Sequence, residues 1–231
     1  MTRALADLHC HTSGSFDSLA RPAAVVRAAA QRGLTHLAIT DHDRIEAALA
    51  AREAAPPELV VIVGQEVRTS AGDLVALFVE RPIAAGLAMS EAAARIREQG
   101  GVVGMAHPFD RFRAGAGRRG WETELERLVP LLDYVETWNA RLMFGDGNRR
   151  AAEFALRNSL PGVAVSDAHT VMEVGVAYTI FDRPIDSAAE LREALAEARL
   201  VTAHGSRLVR LGMPLAKLVQ RMRGNRRVLP A

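Results

Sequence analysis

Cysteine, aromatic residues and long apolar runs are all scarce in this chain of 231 residues, of which only 5% are aromatic. The one cysteine, Cys10, excludes an intramolecular disulfide and fits a reducing compartment. No apolar run is long enough to cross a bilayer, and no positively charged start precedes one, so we expect a cytoplasmic protein outside the membrane. With 49% apolar residues, the chain can bury the core of one large domain, and no linker or repeat divides residues 1–231.

Lysine is nearly absent as well, since Lys217 is the one lysine among 29 basic residues. Residues 207–231 hold seven basic and no acidic residues, which leaves 22 basic against 27 acidic residues before them. Nucleic acid is therefore a partner to consider, but it is not favoured, because no aromatic residue is interleaved in this tail for base stacking. We interpret residues 207–231 as a basic C-terminal helix and tail, packed on the domain or extending from it, with an inward face of Leu215, Leu218, Val219 and Met222.

Apolar runs typical of strands alternate with helical patterns, several of which open with Pro or Ser and end at Gly. After a first strand that ends within residues 7–12, strands are predicted over residues 34–40, 59–63, 74–79, 102–106, 134–138 and 162–166. Helices are predicted over residues 22–33, 45–54, 90–100 and 148–157, and from a capping box at residues 187–190. This alternation is typical of an α/β domain with a mainly parallel sheet.

The end of the first strand carries the pattern His-x-His. Since side chains alternate faces along a strand, Asp7, His9 and His11 are expected on one face, and Leu8 and Cys10 on the other. Two imidazoles two residues apart can bind one metal ion. On this interpretation Cys10 is a small buried residue and not a ligand.

Polar side chains with metal-binding chemistry recur where the predicted strands end. They are His9, His11, Asp41, His42, Glu66, His107, Asp167 and His169. In a closed β/α barrel the carboxyl ends of the strands meet at one rim, where active sites are built. Nitrogen and oxygen ligands suit Zn, Mn or Fe, and this set is too rich for one four-coordinate ion, so we expect at least two ions. Glu66 can bridge them, and a metal-bound hydroxide would then attack the substrate.

Five motifs occur in a characteristic order: Asp7-Leu8-His9-Cys10-His11-Thr12, Thr40-Asp41-His42-Asp43, Gly64-Gln65-Glu66, Ala106-His107-Pro108 and Ser166-Asp167-Ala168-His169. In these motifs the chain resembles the PHP superfamily, the polymerase and histidinol phosphatase group. The resemblance implies a distorted (β/α)7 barrel and a small stand-alone metal-dependent phosphoesterase with two or three divalent ions. It also implies that one ion is held by His9, His11, Glu66 and Asp167, a second by His42 and His169, and a third by Glu66 and His107. Asp17 lies where many members with three ions have a further histidine, and it is a candidate ligand.

A phosphoryl substrate needs cationic partners beside the metals, and the bidentate guanidinium of arginine is suited to this. Arg141 and its neighbour Asn139 follow a predicted strand, and Arg111 and Arg113 lie in a glycine-rich loop. We predict that these side chains bind substrate. Asp41 is the candidate for relaying a proton.

The favoured function is hydrolysis of a phosphomonoester or a small phosphodiester, such as that of a nucleotide, by attack of metal-bound hydroxide on a small phosphorylated substrate. Three alternatives stay open. A nuclease that trims short RNA or DNA from the 5′ end would use the same cluster. A non-catalytic regulatory module would fill every metal position with protein ligands. An amide hydrolase is compatible with the ligand types and is disfavoured by the resemblance.

Overall fold

Nine strands form one curved sheet in the computed structural model, which describes residues 3–110, 121–206, 209 and 212–227. The strands are β1 (Ala4–Cys10), β2 (His36–Ile39), β3 (Val60–Arg68), β4 (Asp73–Leu77), β5 (Val102–Met105), β6 (Tyr134–Asn139), β7 (Gly162–Val165), β8 (Tyr178–Phe181) and β9 (Arg199–Val201). Valine and isoleucine recur in them, and such β-branched residues favour extended backbone. Each strand that the sequence predicts is present, whereas β8 and β9 were not predicted.

The order of the strands across the sheet is β7-β6-β5-β4-β3-β2-β1-β8-β9. β4 pairs antiparallel with β3 and β5, and β8 pairs antiparallel with β1 and β9, while the other four pairs are parallel. The prediction of a mainly parallel sheet was therefore wrong. The turn at residues 69–72, between β3 and β4, is too short for the crossover that parallel neighbours need.

The sheet curves until the end of β7 meets β1, so that the barrel is nearly closed. Cys10 and Ala168 form an isolated parallel bridge, and the N–H of His11 donates to the carbonyl of Ala168 at 2.8 Å. Nearby, the buried carboxylate of Asp7 in β1 accepts a hydrogen bond from the N–H of Ser166, which follows β7, at 3.0 Å. We call these contacts the barrel seam. The predicted distorted α/β barrel is confirmed.

Helices cover the strands: α1 (Pro22–Gln31), α2 (Glu46–Glu53), α3 (Met89–Glu98), α4 (Trp121–Leu128), α5 (Gly147–Arg157), α6 (Ala188–Ala194) and α7 (Met213–Met222). The predicted capping box is confirmed at α6, because Ser187 Oγ accepts from the N–H of Glu190 and donates to its carboxylate. α3 begins one residue earlier than predicted, so Ser90 lies in its first turn and does not cap it. In the part of the chain that the structure describes, no helix combines the length and apolar character that a membrane span requires.

Apolar side chains form one layer inside the barrel and another between the strands and the helices. Leu8 belongs to the inner layer and Cys10 to the outer one, so the prediction that they share a face was wrong. The pairing of β1 with β2 shifts register between Asp7 and Cys10, and such a bulge interrupts the alternation of side chains. As a result Asp7 stabilises the barrel seam instead of joining the two histidines that follow it.

The C-terminal helix α7 buries Ala216 and Gln220, and not the residues of its predicted apolar face. Leu215, Leu218 and Met222 are 60%, 56% and 80% exposed, whereas Gln220 is only 2% exposed. The predicted inward face of this helix was therefore wrong. The loop of residues 13–18 presents backbone carbonyl groups to α7, and these groups require a donor such as the Gln220 amide.

Candidate metal centre

The structure brings eight of the sequence-predicted site residues into one buried cluster, and each is at most 5% exposed: His9, His11, Asp17, His42, Glu66, His107, Asp167 and His169. Apart from Asp17, all lie at or near the carboxyl ends of β1, β2, β3, β5 and β7. The backbone of His107 and Asp167 has positive φ angles of 26° and 50°, which residues other than glycine rarely adopt. Such strain persists only where surrounding structure imposes it, and it is common at functional sites.

The carboxylate of Glu66 lies at the centre of the cluster. Its Oε2 is 3.3 Å from His9 Nε2, 3.2 Å from His11 Nε2 and 3.1 Å from His42 Nδ1. Its Oε1 is 2.9 Å from His107 Nε2. Burial alone would raise the pKa of Glu66, but His42 and His9 outweigh it and hold this pKa well below its ordinary value. Glu66 is therefore an anion that reaches four imidazoles.

Three sets of side chains within this region have the geometry to hold an ion, with the ligand atoms of each set within 4.8 Å of one another. We call them the His-rich group (His11, Asp17, His42 and His169), the first-strand group (His9, His11 and Asp167) and the carboxylate group (Glu66, Asp73 and His107). Every member is buried. Because His11 belongs to two groups and Glu66 contacts histidines of all three, ions bound there would be close neighbours.

The nitrogen and oxygen atoms of these groups are arranged as ligands of divalent ions, and several of them do not form hydrogen bonds with one another. Nε2 of His9 and Nε2 of His11 face each other at 2.9 Å. Asp17 Oδ1, His42 Nδ1 and His169 Nε2 are buried and form no hydrogen bond, although carboxylate oxygens lie within 3.1 to 3.3 Å of the two nitrogens, and such a condition is rare for buried polar atoms. Convergent imidazole and carboxylate donors without a thiol are the ligands of Zn, Mn and Fe. The residues present therefore fit a polynuclear metal site.

Glu136 of β6 forms hydrogen bonds to residues of the cluster, and the sequence did not predict it as a site residue. Its carboxylate accepts from His9 Nδ1 at 2.6 Å, from the N–H of His107 at 2.9 Å and from Asn139 Nδ2 at 3.1 Å. With Nδ1 of His9 donating to Glu136, Nε2 is left as the ligand nitrogen. The available signal was a carboxylate within the otherwise uncharged strand of residues 134–139.

Asp73 was also missed. It is the first residue of β4, is 6% exposed and belongs to the carboxylate group. Barrel geometry directs attention to the carboxyl ends of strands, but β4 is antiparallel to β3 and brings its amino end to the same rim. The single available signal was the acidic residue that directly precedes the predicted strand.

The loop of residues 13–18, which we call the Asp17 loop, links three histidines of the His-rich group. Asp17 Oδ2 is 3.3 Å from His169 Nε2 and 3.6 Å from His42 Nε2. Ser15 Oγ lies 3.1 Å from His11 Nδ1 and accepts from the N–H of His42, and Ser18 Oγ donates to the carbonyl of His169. Burial would raise the pKa of Asp17, but the adjacent His169 and His42 hold it well below its ordinary value.

Asp41 is not a member of the three groups, although it is fully buried. Its carboxylate accepts from the N–H of Thr12 at 2.6 Å and from the hydroxyl of Thr12 at 2.5 Å. A Cβ added at Gly14 would lie 2.6 Å from Asp41 Oδ2, so glycine is required for this close approach. Asp41 thus orders the chain between His11 and the Asp17 loop.

Arg141 lies beside the cluster, and it is 6% exposed. Its Nη1 donates to the carbonyl of Asp167 at 3.4 Å, its Nε is 4.0 Å from Asp167 Oδ2, and its Nη2 contacts the sulfur of Met213. Burial and the charge of Arg141 lower the pKa of His169 to about 3, which keeps this imidazole neutral and able to bind metal. Asn139 donates to Asp167 Oδ2 at 3.2 Å. The predicted substrate residues Arg111 and Arg113 lie outside the described residues.

Two protein-family models match the parts of the chain that contain the residues of the three groups. A family model described as PHP domain matches residues 7–110, and one described as PHP-associated matches residues 145–200. Uncharacterized protein MJ0417 of Methanocaldococcus jannaschii is 30% identical over 175 residues, which make up 76% of this chain and 69% of that protein.

Solved structures with a similar fold include a two-domain protein from Bacteroides vulgatus that contains a predicted PHP-like metal-dependent phosphoesterase. Its TM-score is 0.72 at 20% identity, over 87% of this chain and 65% of that one. The lesion-specific endonuclease PfuEndoQ of Pyrococcus furiosus has a TM-score of 0.65 at 17% identity, over 86% of this chain and 58% of that one. This chain spans less than two thirds of either protein, and at these identities the likeness concerns the fold alone.

Proposed function

Because this chain belongs to the PHP family of metal-dependent phosphoesterases, we propose that it hydrolyses a phosphomonoester or a small phosphodiester. The observation that supports this best is the contact of one carboxylate, that of Glu66, with the imidazoles of His9, His11, His42 and His107. A carboxylate in this position can bridge neighbouring ions, which is the arrangement that two-metal hydrolysis of phosphate esters requires.

In this proposal the His-rich group holds one ion, the first-strand group a second and the carboxylate group a third. Compared with the ligands that the resemblance implies, Asp17 completes the first of these groups and Asp73 the last. Divalent Mn, Zn or Fe at these positions would lower the pKa of a water molecule and neutralise the charge that develops on phosphoryl oxygens.

The protein's own side chains would orient the substrate and the ligands. Arg141 lies beside Asp167, and we propose that its guanidinium binds a phosphoryl oxygen. Asn139 keeps Asp167 in place through a hydrogen bond to its Oδ2. For Asp41, the two hydrogen bonds from Thr12 support a positioning role over the predicted proton relay.

The test combines metal content with catalysis. We expect protein purified without chelator to retain two or three ions per chain by mass spectrometry of the metals. We also expect it to hydrolyse an aryl phosphate monoester or diester with added Mn or Zn, and to lose turnover on chelation. His9→Ala and Asp167→Ala should abolish turnover while the circular dichroism spectrum stays that of the folded protein. Turnover retained by both variants would refute the ligand assignment, and bound metal without turnover on any ester would favour a regulatory module.

A nuclease is the second candidate function, and the position of the basic C-terminus favours it. Lys217 Nζ and the Arg227 guanidinium lie 5.7 and 5.5 Å from the centre of the Phe16 ring. That ring is 4.9 Å from the ring of His42. Cations and an aromatic face at the edge of the site could bind a nucleic-acid strand. Preference for a 5′-phosphorylated oligonucleotide over a mononucleotide, with a KM that rises steeply with salt, would establish this function.

A further inference from the structure

The Asp17 loop contacts the metal centre at several points. It supplies Asp17 to the His-rich group and contacts His11, His42 and His169 through serine hydroxyls. It is a loop, however, with neither a helix nor a strand to hold Asp17 in place. The position of the Asp17 carboxylate therefore depends on what binds the backbone of this loop.

Two side-chain amides from the C-terminal segment bind that backbone. Gln220 of α7 donates from Nε2 to the carbonyl oxygens of Ser13, Ser15 and Ser18 at 2.9, 2.9 and 2.5 Å. Asn225 donates from Nδ2 to the carbonyls of Ser13, Gly14 and Ser15 at 3.4, 3.0 and 3.2 Å. The N–H of Asn225 in turn donates to the carbonyl of Gln220 at 2.9 Å, so the two amides are held together.

The burial of these contacts makes them energetically significant. Gln220 is 2% exposed, and its neighbours on the opposite side of α7, Leu218 and Met222, are more than half exposed. A buried amide at this position is costly unless it is hydrogen-bonded, and the carbonyls of the loop would otherwise lose their donors. The amide of Gln220, and not the exposed Leu215, Leu218 or Met222, therefore joins α7 to this loop.

We propose that Gln220 and Asn225 are positioning residues of the metal centre, which fix the Asp17 loop so that the Asp17 carboxylate points at the ion of the His-rich group. The C-terminal segment is then a functional part of the site. It lies after residues 145–200, the last stretch that a family model matches, and so belongs to neither matched region. The inference rests on the metal site proposed above, and the experiment separates the two.

The experiment measures the binding of Mn²⁺ to metal-free protein by competition with a chelating indicator. Gln220→Met keeps the length of the side chain and removes its donors. We expect the ion of the His-rich group to bind about 10- to 100-fold more weakly, because loss of a group that orients a ligand commonly has this effect. The other ions should bind as in the unchanged protein. The matched control is the reverse exchange on the exposed face, Met222→Gln, which should leave every affinity unchanged.

A double-variant cycle distinguishes positioning from a general loss of stability. If Gln220 acts through Asp17, Gln220→Met combined with Asp17→Ala should bind Mn²⁺ no more weakly than Asp17→Ala alone. Additive losses, or unchanged binding in Gln220→Met, would overturn the inference while Asp17→Ala still weakens binding. If Asp17→Ala binds Mn²⁺ as tightly as the wild-type protein, Asp17 is not a metal ligand, and the positioning role of Gln220 is refuted as well. Should Gln220→Met fail to fold, Asn225→Ala removes the more exposed amide and must show the same selective loss.

Discussion

Replacing Glu136 with glutamine is expected to weaken metal binding without touching a proposed ligand. The carboxylate of Glu136 is fully buried and accepts hydrogen bonds from His9, His107 and Asn139. The amide has the same shape but carries no charge, and its NH2 group cannot accept. A hydrogen bond to a charged group contributes about 1.5–3 kcal/mol, so the loss of one corresponds to binding roughly 10- to 100-fold weaker.

The assay is competition of metal-free protein against a chelating indicator, followed by kcat at saturating metal. Glu153→Gln is the matched control, because Glu153 pairs with Arg149 on the exposed surface, where an ion pair contributes little. We expect Glu136→Gln to lose affinity for the ion that His9 binds, while the control loses none. If both variants bind metal equally well, Glu136 does not orient His9, and the explanation of how Nε2 becomes the ligand nitrogen fails.

Three further outcomes follow from other parts of the structure. Arg141→Lys should raise KM for a phosphate ester more than it lowers metal affinity, since a lysine cannot form the bidentate contact; an unchanged KM would argue against phosphoryl binding. Burial lowers the pKa of His36 below its usual 6.5, so the unfolded chain takes up this proton first as the pH falls, and the folded state loses stability below about pH 6.5. His36→Gln should therefore flatten the fall in unfolding free energy as the pH drops below about 6.5, measured with urea. A Cβ at Gly104 would overlap the Tyr134 ring, so Gly104→Ala should cost about 1–3 kcal/mol in urea unfolding, and Tyr134→Leu should relieve part of that loss.

The location of the site could be predicted because its polar residues lie where apolar, strand-like runs of the sequence end. His9, His42, His107 and Asp167 each lie beside the end of an apolar run, and barrel geometry brings the ends of such runs together. The order of strands and helices followed from the same runs and from local signals such as the capping serine Ser187. The ligand roles of these residues stay predictions that the metal measurements test.

What could not be predicted depends on long-range contacts. Asp73 reaches the cluster because β4 runs antiparallel, and nothing in its own neighbourhood of the sequence indicates that direction. Gln220 faces the barrel because the carbonyls of a loop some two hundred residues earlier need a donor. Helical periodicity favoured the apolar side of α7, since periodicity records hydrophobicity and not the hydrogen bonds that a distant backbone requires.

Because of the barrel seam, metal ions bound at the proposed site would act in folding as well as in chemistry. His11 lies on the β1 side of the seam, and Asp167 and His169 lie on the β7 side, so an ion shared by them cross-links the first and last parallel strands of the barrel. Such a cross-link closes a loop that contains most of the chain. Because the unfolded chain has no preformed site, each ion bound there stabilises the closed barrel by mass action. Metal binding and completion of the fold would therefore be coupled, and the same ions that would activate water would also keep the barrel closed.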